Sequence, residues 1–150
     1  MMEIGRTIKE INLGDKASFT KTITETDVYL FAGISGDFNP MHVNEAYAKL
    51  TPFKTRIAHG ALPSCLMAPV LGQKLPGLGT VAIESSTRYL APVFFGDTIT
   101  ATGEVAEKDE EKNLVVMLFT WTNQNGNVIA TGSATVMPPP EKLREKMKNL

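Results

Sequence analysis

The chain has 150 residues, of which 43% are hydrophobic and 21% charged, the composition of one ordinary globular domain and not of a disordered segment. Fifteen basic against sixteen acidic side chains leave a formal net charge of −1, which lacks the basic excess of a nucleic-acid-binding protein. One cysteine and two histidines exclude an intrachain disulfide and a cysteine-based zinc site, and argue against a multi-histidine metal centre.

In chain order, Met1-Met2-Glu3-Ile4-Gly5-Arg6 lacks the basic-then-apolar pattern of a secretory leader, and no apolar run is long enough to span a bilayer. The expectation is a cytoplasmic protein. Ala17 to Ile23 alternates as a strand. Thr24-Glu25-Thr26-Asp27 places cap oxygens and acids where a helix begins, and Val28, Leu30, Phe31 and Ile34 then lie along a short helix ending near Gly33 and Gly36. Asp37-Phe38-Asn39-Pro40 is turn chemistry, and a second short helix is expected over about Asn44 to Leu50.

Gly60 to Lys74 is the least polar helical candidate, with Leu62, Leu66, Pro69 and Val70 on one side and the small Ala61, Cys65, Ala68 and Gly72 elsewhere. A helix apolar nearly all round is expected to be buried, with a kink at Pro69. Four strands follow. Val81 to Tyr89 is the first, and Thr98 to Val105 alternates with one polar face. The charged run Glu107 to Lys112 reads as a solvated turn, and Leu114 to Trp121 as a central strand covered on both faces. Asn125-Gly126 signals a hairpin into Val128 to Met137. Pro138-Pro139-Pro140 ends the sheet, and Glu141 to Leu150 reads as a polar C-terminal helix. The fold class is α+β in a single domain over 1–150, with a core at about 15–137 and a polar tail at 138–150.

Few side chains can do chemistry. Asp37 and His42 flank a loop stiffened by Pro40, which can aim both at one point for proton transfer; equally, Asp37 caps a turn and His42 is an ordinary loop histidine. Gly60, at the expected start of the apolar helix, could offer its N–H to a developing oxyanion, or mark a bend. His59 reads first as a structural hydrogen bonder, and Cys65 as a small buried hydrophobe. Lys54, Arg56 and Lys74 flank the helix and could meet a ligand phosphate.

The segment Tyr29 to His42, with Ala48 six residues on, resembles the hydratase 2 motif of the MaoC-like (R)-specific enoyl-CoA hydratases. The resemblance continues through Arg56 to Gly60, Leu71 to Gly77 and Pro92 to Asp97, covering about residues 15–137. It implies a hot dog fold, an antiparallel sheet wrapped around a long central helix, paired edge to edge as a homodimer with the acyl-CoA tunnel at the interface. It implies reversible syn hydration of a trans-2-enoyl-CoA to an (R)-3-hydroxyacyl-CoA. Asp37 and His42 would activate the water, Asn39 would brace their loop, and the Gly60 N–H would receive the thioester oxygen. Arg56, His59, Ala68 and Lys74 are candidate substrate-binding residues. No metal and no cofactor beyond the CoA of the substrate is expected, nor a nucleic-acid or membrane partner. Ser64 aligns with a family serine, whereas Ala68, followed by Pro69, stands where a second serine belongs to the active-site polar network. Alternatives are a hydro-lyase acting on a carrier-protein, branched or dicarboxylic thioester, and a non-catalytic acyl-CoA-binding protein.

Overall fold

The computed structural model describes residues 4–147. The first three residues of the leader reading and the last three of the C-terminal helix lie outside the described residues. The strands are β1 (Lys16–Thr22), β2 (Val81–Tyr89), β3 (Thr98–Asp109), β4 (Leu114–Thr122) and β5 (Val128–Met137). They form one antiparallel sheet in the order β1-β3-β4-β5-β2. The helices are α1 (Glu25–Ser35), α2 (Pro40–Val43), α3 (Glu45–Ala48), α4 (Ala61–Ser64), α5 (Met67–Gln73) and α6 (Glu141–Met147). The sheet wraps the α4–α5 segment, which is the hot dog arrangement.

The core forms where one face of the sheet meets that segment. Val115, Met117, Phe119 and Trp121 alternate along β4 and are all at most 2% exposed. Leu66, Met67, Val70 and Leu71 pack against them with Ile99, Ala101 and Val105 of β3. Period-two alternation therefore did its usual work of sorting one face inward. β4 is central as expected, but covered on one face only: Leu118, on the opposite side, is 55% exposed. The cause is topological, since the α5 helix packs against the face that Val115, Met117, Phe119 and Trp121 line.

The apolar helix also differs from expectation. It is two short helices broken at Cys65–Leu66, and Pro69 lies in the first turn of α5, where a missing N–H costs no helical bond. The Cys65 carbonyl, one turn upstream of Pro69, accepts instead from Ala68 N at 2.9 Å. Proline thus sets the break one turn earlier than its own position. Burial is one-sided too: Ala61, Cys65 and Ala68 are exposed, so Cys65 is not the buried hydrophobe its neighbours suggested.

Two further boundaries move. β3 continues to Asp109 through a bulge between Val105 and Glu107, so half of the charged run is strand. There Lys108 donates to the Ile11 carbonyl at 3.0 Å. The helix expected from Asn44 is a single turn, preceded by α2. The C-terminal α6 is docked: Arg144 donates to the Gly5 carbonyl at 2.8 Å and to Glu10 Oε2 at 2.7 Å. Among the described residues, no helix is long and apolar enough to cross a membrane.

Candidate active site

The site is assembled from the loop after α1 and from the segment that leads into α4. α1 starts on a reciprocal cap, Thr24 N donating to Asp27 Oδ2 at 2.8 Å and Asp27 N to Thr24 Oγ1 at 3.2 Å. It ends at Gly36, whose φ of 77° is a left-handed cap that a β-carbon would strain. The chain then turns on its own side chains. Asn39 N donates to Asp37 Oδ1 at 3.1 Å, and Met41 N to Asn39 Oδ1 at 3.2 Å, with Pro40 at the first position of α2. Asn39 therefore braces the loop physically, as the N-cap that carries His42.

His42 is 7% exposed and His59 2%. His42 Nδ1 lies 2.8 Å from the Ile57 carbonyl and His59 Nε2 lies 2.8 Å from the Asp37 carbonyl. A carbonyl only accepts, so each of these nitrogens carries a proton. In the neutral ring this leaves Nε2 as the acceptor of His42. The two imidazoles stack with centroids 3.9 Å apart, and Phe31 closes on His59 at 5.1 Å. Asp37, His42 and His59 each bring one donor atom within 4.8 Å of the others. Among the described residues this trio is the group that could close on a metal ion, although two of its four ring nitrogens already serve carbonyls.

Beside the trio lies an apolar cavity of about 410 Å³, walled by Met41, Phe53, Val93, Leu90 and Ile129 and touched by both His42 and Gly60. Gly60 has no side chain for a reason visible in space: a β-carbon there would sit 3.0 Å from the Tyr89 ring. Its N–H precedes α4 and lies outside any helical ladder. Because α4 is a single turn, Gly60 offers one hydrogen-bond donor and not the end of a long helix dipole.

The remaining candidates fall elsewhere. Arg56 pairs with Glu25 and Glu45, donates to Tyr29 Oη at 3.1 Å, and lies 4.8 Å over the Phe95 ring. The Glu25 carboxylate beside it raises its pKa further. Its backbone N–H also holds Glu45 Oε2 at 3.2 Å, and that bond, first among several, lowers the Glu45 pKa. This knot fastens the 51–57 segment that supplies the Ile57 carbonyl. Lys74 donates to the Ser18 carbonyl and lies 5.8 Å over Phe19. Ala68 is exposed, and Ser64 Oγ donates back to the Gly60 carbonyl at 2.9 Å. Arg56, Ala68 and Lys74 are not among the residues that wall the cavity. Tyr89, Leu90 and Ile129 are, and sequence reasoning had not singled them out. Their signal was faint: a large aromatic ending a strand, just before Pro92.

Residues 9–126 match the family of MaoC-like domains. The chain is 50% identical over 131 residues, covering 87% of this chain and 90% of the relative, to an (R)-specific enoyl-CoA hydratase of Rhodospirillum rubrum. It is 37% identical over 131 residues, 87% of this chain and 98% of the relative, to an (R)-specific enoyl-CoA hydratase of Aeromonas caviae. Among solved structures it resembles an unliganded R-hydratase from Pseudomonas aeruginosa at a TM-score of 0.85 and 41% identity, over 90% of this chain and 86% of the other.

Proposed function

The chain belongs to the family of MaoC-like domains, and from that premise we propose that it is an (R)-specific enoyl-CoA hydratase working through Asp37, His42 and the Gly60 N–H. One observation carries the assignment of roles: a buried imidazole held through its Nδ1 and the backbone of Gly60 line one apolar cavity, with the Asp37 carboxylate within 4.8 Å of the imidazole.

In this reading the acyl chain lies along the apolar walls and its thioester oxygen accepts from the Gly60 N–H. Asp37 and His42 hold a water over the C2–C3 double bond. The water oxygen bonds to C3 as one of its protons passes to the Asp37/His42 pair. The π electrons move to the thioester oxygen, giving an enolate held by Gly60. The enolate then collapses, and C2 takes the proton back from the same pair and the same face, so addition is syn. The reverse sequence is dehydration. Positioned acid–base groups typically give about 10²–10⁴-fold, and one oxyanion donor about 10²–10³-fold. Neither step calls on a metal or a redox cofactor, so the reaction is assigned to the side chains and Gly60 alone.

The working unit in this reading is a homodimer formed along β2. Both edge strands of the sheet have an unpaired side, but they differ in chemistry. β1 is blunted by polar ladders, Thr20 with Thr100, Thr22 with Thr98 and Lys16 with Glu104. β2 exposes Val81, Ile83 and Tyr89 at 55%, 55% and 56%, an apolar edge that a second copy would cover. Since Tyr89 also borders the cavity, the partner would help wall it. The cytoplasm, where CoA thioesters are made and used, is the compartment that goes with this substrate.

The deciding test is loss of the conjugated-thioester ultraviolet band on adding crotonyl-CoA and longer 2-enoyl-CoAs, with product chirality read by an (R)-specific dehydrogenase. Hydration to the (R)-alcohol is expected. Hydration only of carrier-protein thioesters would replace the substrate class, and no hydration of any enoyl thioester would leave an acyl-CoA-binding protein.

A further inference from the structure

We infer that His59 is a positioning residue, which fixes the Asp37 carboxylate relative to the His42 imidazole and touches no substrate. The inference rests on the hydratase reading for what is being positioned, but its geometric core does not.

Three observations meet on this one ring. Its Nε2 donates to the main-chain carbonyl of Asp37 across 22 residues of sequence, at 2.8 Å. Its face stacks on His42 with a centroid separation of 3.9 Å and a tilt of 31°. Its other nitrogen, Nδ1, is buried without a hydrogen-bond partner among the described residues. The first contact holds the backbone from which Asp37 projects. The second limits rotation of His42, whose own Nδ1 is pinned to the Ile57 carbonyl. Phe31, from α1, lies against the same ring at 5.1 Å. One side chain thus ties three separately folded pieces together: the end of α1, the Asp37 loop and α2.

The orphaned Nδ1 says which form of the ring does this. Nε2 must carry a proton to serve a carbonyl. A second proton on Nδ1 would bury a charged donor with nothing to receive it, an expensive arrangement. A bare Nδ1 leaves only an acceptor lone pair unmet, the lesser cost. The structure therefore assigns His59 the Nε2–H tautomer, which cannot lend a proton to the reaction without abandoning Asp37. That separates it from His42, which uses the opposite nitrogen for its carbonyl and keeps Nε2 for chemistry.

The first test needs no activity. The chain has two histidines, so ¹⁵N-histidine labelling gives two ring spin systems, assigned by comparison with His59→Gln. At neutral pH the His59 ring should show a protonated Nε2 and an unprotonated Nδ1; the Nδ1–H tautomer would overturn the inference whatever the enzyme does. The second test is kinetic. His59→Phe keeps the stack and removes the donor, and kcat should fall by about 10²-fold, the cost of a misplacement on the order of 1 Å, with KM nearly unchanged. His59→Gln restores an amide N–H near the Nε2 position and should recover most of that loss. A Gln variant no better than the Phe variant, or a Phe variant with wild-type kcat, would sink the idea, and a KM effect alone would make His59 a substrate-binding residue. If His59→Phe does not fold, the tautomer and the Gln variant still decide. Wild-type protein that hydrates no enoyl thioester would defeat the hydratase reading while leaving the tautomer result standing.

Discussion

Short-range bonds fix both members of the proposed Asp37/His42 pair: an Asx turn at Asp37, an Asn39 cap, and the Ile57 carbonyl on His42 Nδ1. Asp37→Asn and His42→Gln are each expected to lower kcat for crotonyl-CoA by at least about 10²-fold, the usual worth of a positioned acid–base group. Steady-state hydration rates check this, and unchanged turnover in both would remove the mechanism. Gly60→Ala touches both folding and chemistry. Its β-carbon would lie 3.0 Å from the tip of Tyr89, so the ring must give way and thermal stability should fall by about 1–3 kcal/mol. Turnover of the folded protein should fall as well, since the added methyl stands beside the proposed donor for the thioester oxygen. At this scale the motif pointed to Asp37, Asn39, His42 and Gly60, and the fold brings Asp37 and His42 together beside a cavity that Gly60 also lines. His59 was legible as a structural hydrogen bonder, but its partners were not, because the stack on His42 and a carbonyl 22 residues away are not encoded in spacing along the chain.

At the scale of elements, five strands and their order of appearance were readable from alternation and from the Asn125-Gly126 turn, since one buried face imposes period two. The wrapped helix was readable in position but not in form. Its composition gave apolarity all round, whereas which side is covered depends on the sheet, a long-range fact. The contrast between its faces is measurable. Leu71→Ala, on the buried side, should cost about 2–5 kcal/mol in denaturant unfolding, while Ala68→Ser, on the exposed side, should stay within about 0.5 kcal/mol. Equal costs at the two positions would mean that the helix faces the sheet differently.

For the whole molecule, one proposed contact and one observed contact give predictions. The dimer proposed along β2 predicts a native mass of twice the 16.3 kDa chain by light scattering, and a lysine at Ile83 should shift it towards one chain. A wild-type mass equal to a single chain would rule out the dimer. The second contact joins the two ends of the chain. The Arg144 guanidinium, helped by the Thr7 N–H, holds Glu10 at about 2, down from an ordinary 4.5. A carboxylate depressed in the folded state stabilises above its unfolded value, and that contribution disappears as pH falls from about 4.5 towards 2. Glu10→Gln should therefore flatten the stability–pH curve in this window and nowhere above it. Both partners are partly exposed, so the effect should be under about 1 kcal/mol.

His59 and Gly60 are consecutive residues, and the spacing has a mechanical consequence. The side chain of the first grips the Asp37 loop, and in the proposed reaction the amide of the second receives the thioester oxygen. Both ends of the reacting fragment are thereby indexed to one rigid peptide unit, about 3.8 Å from α-carbon to α-carbon. Neither end can be retuned without dragging the other. Redesign for longer or bulkier acyl groups accordingly belongs in the compliant walls, at Leu90, Val93 and Ile129, where volume can change while the ruler stays fixed.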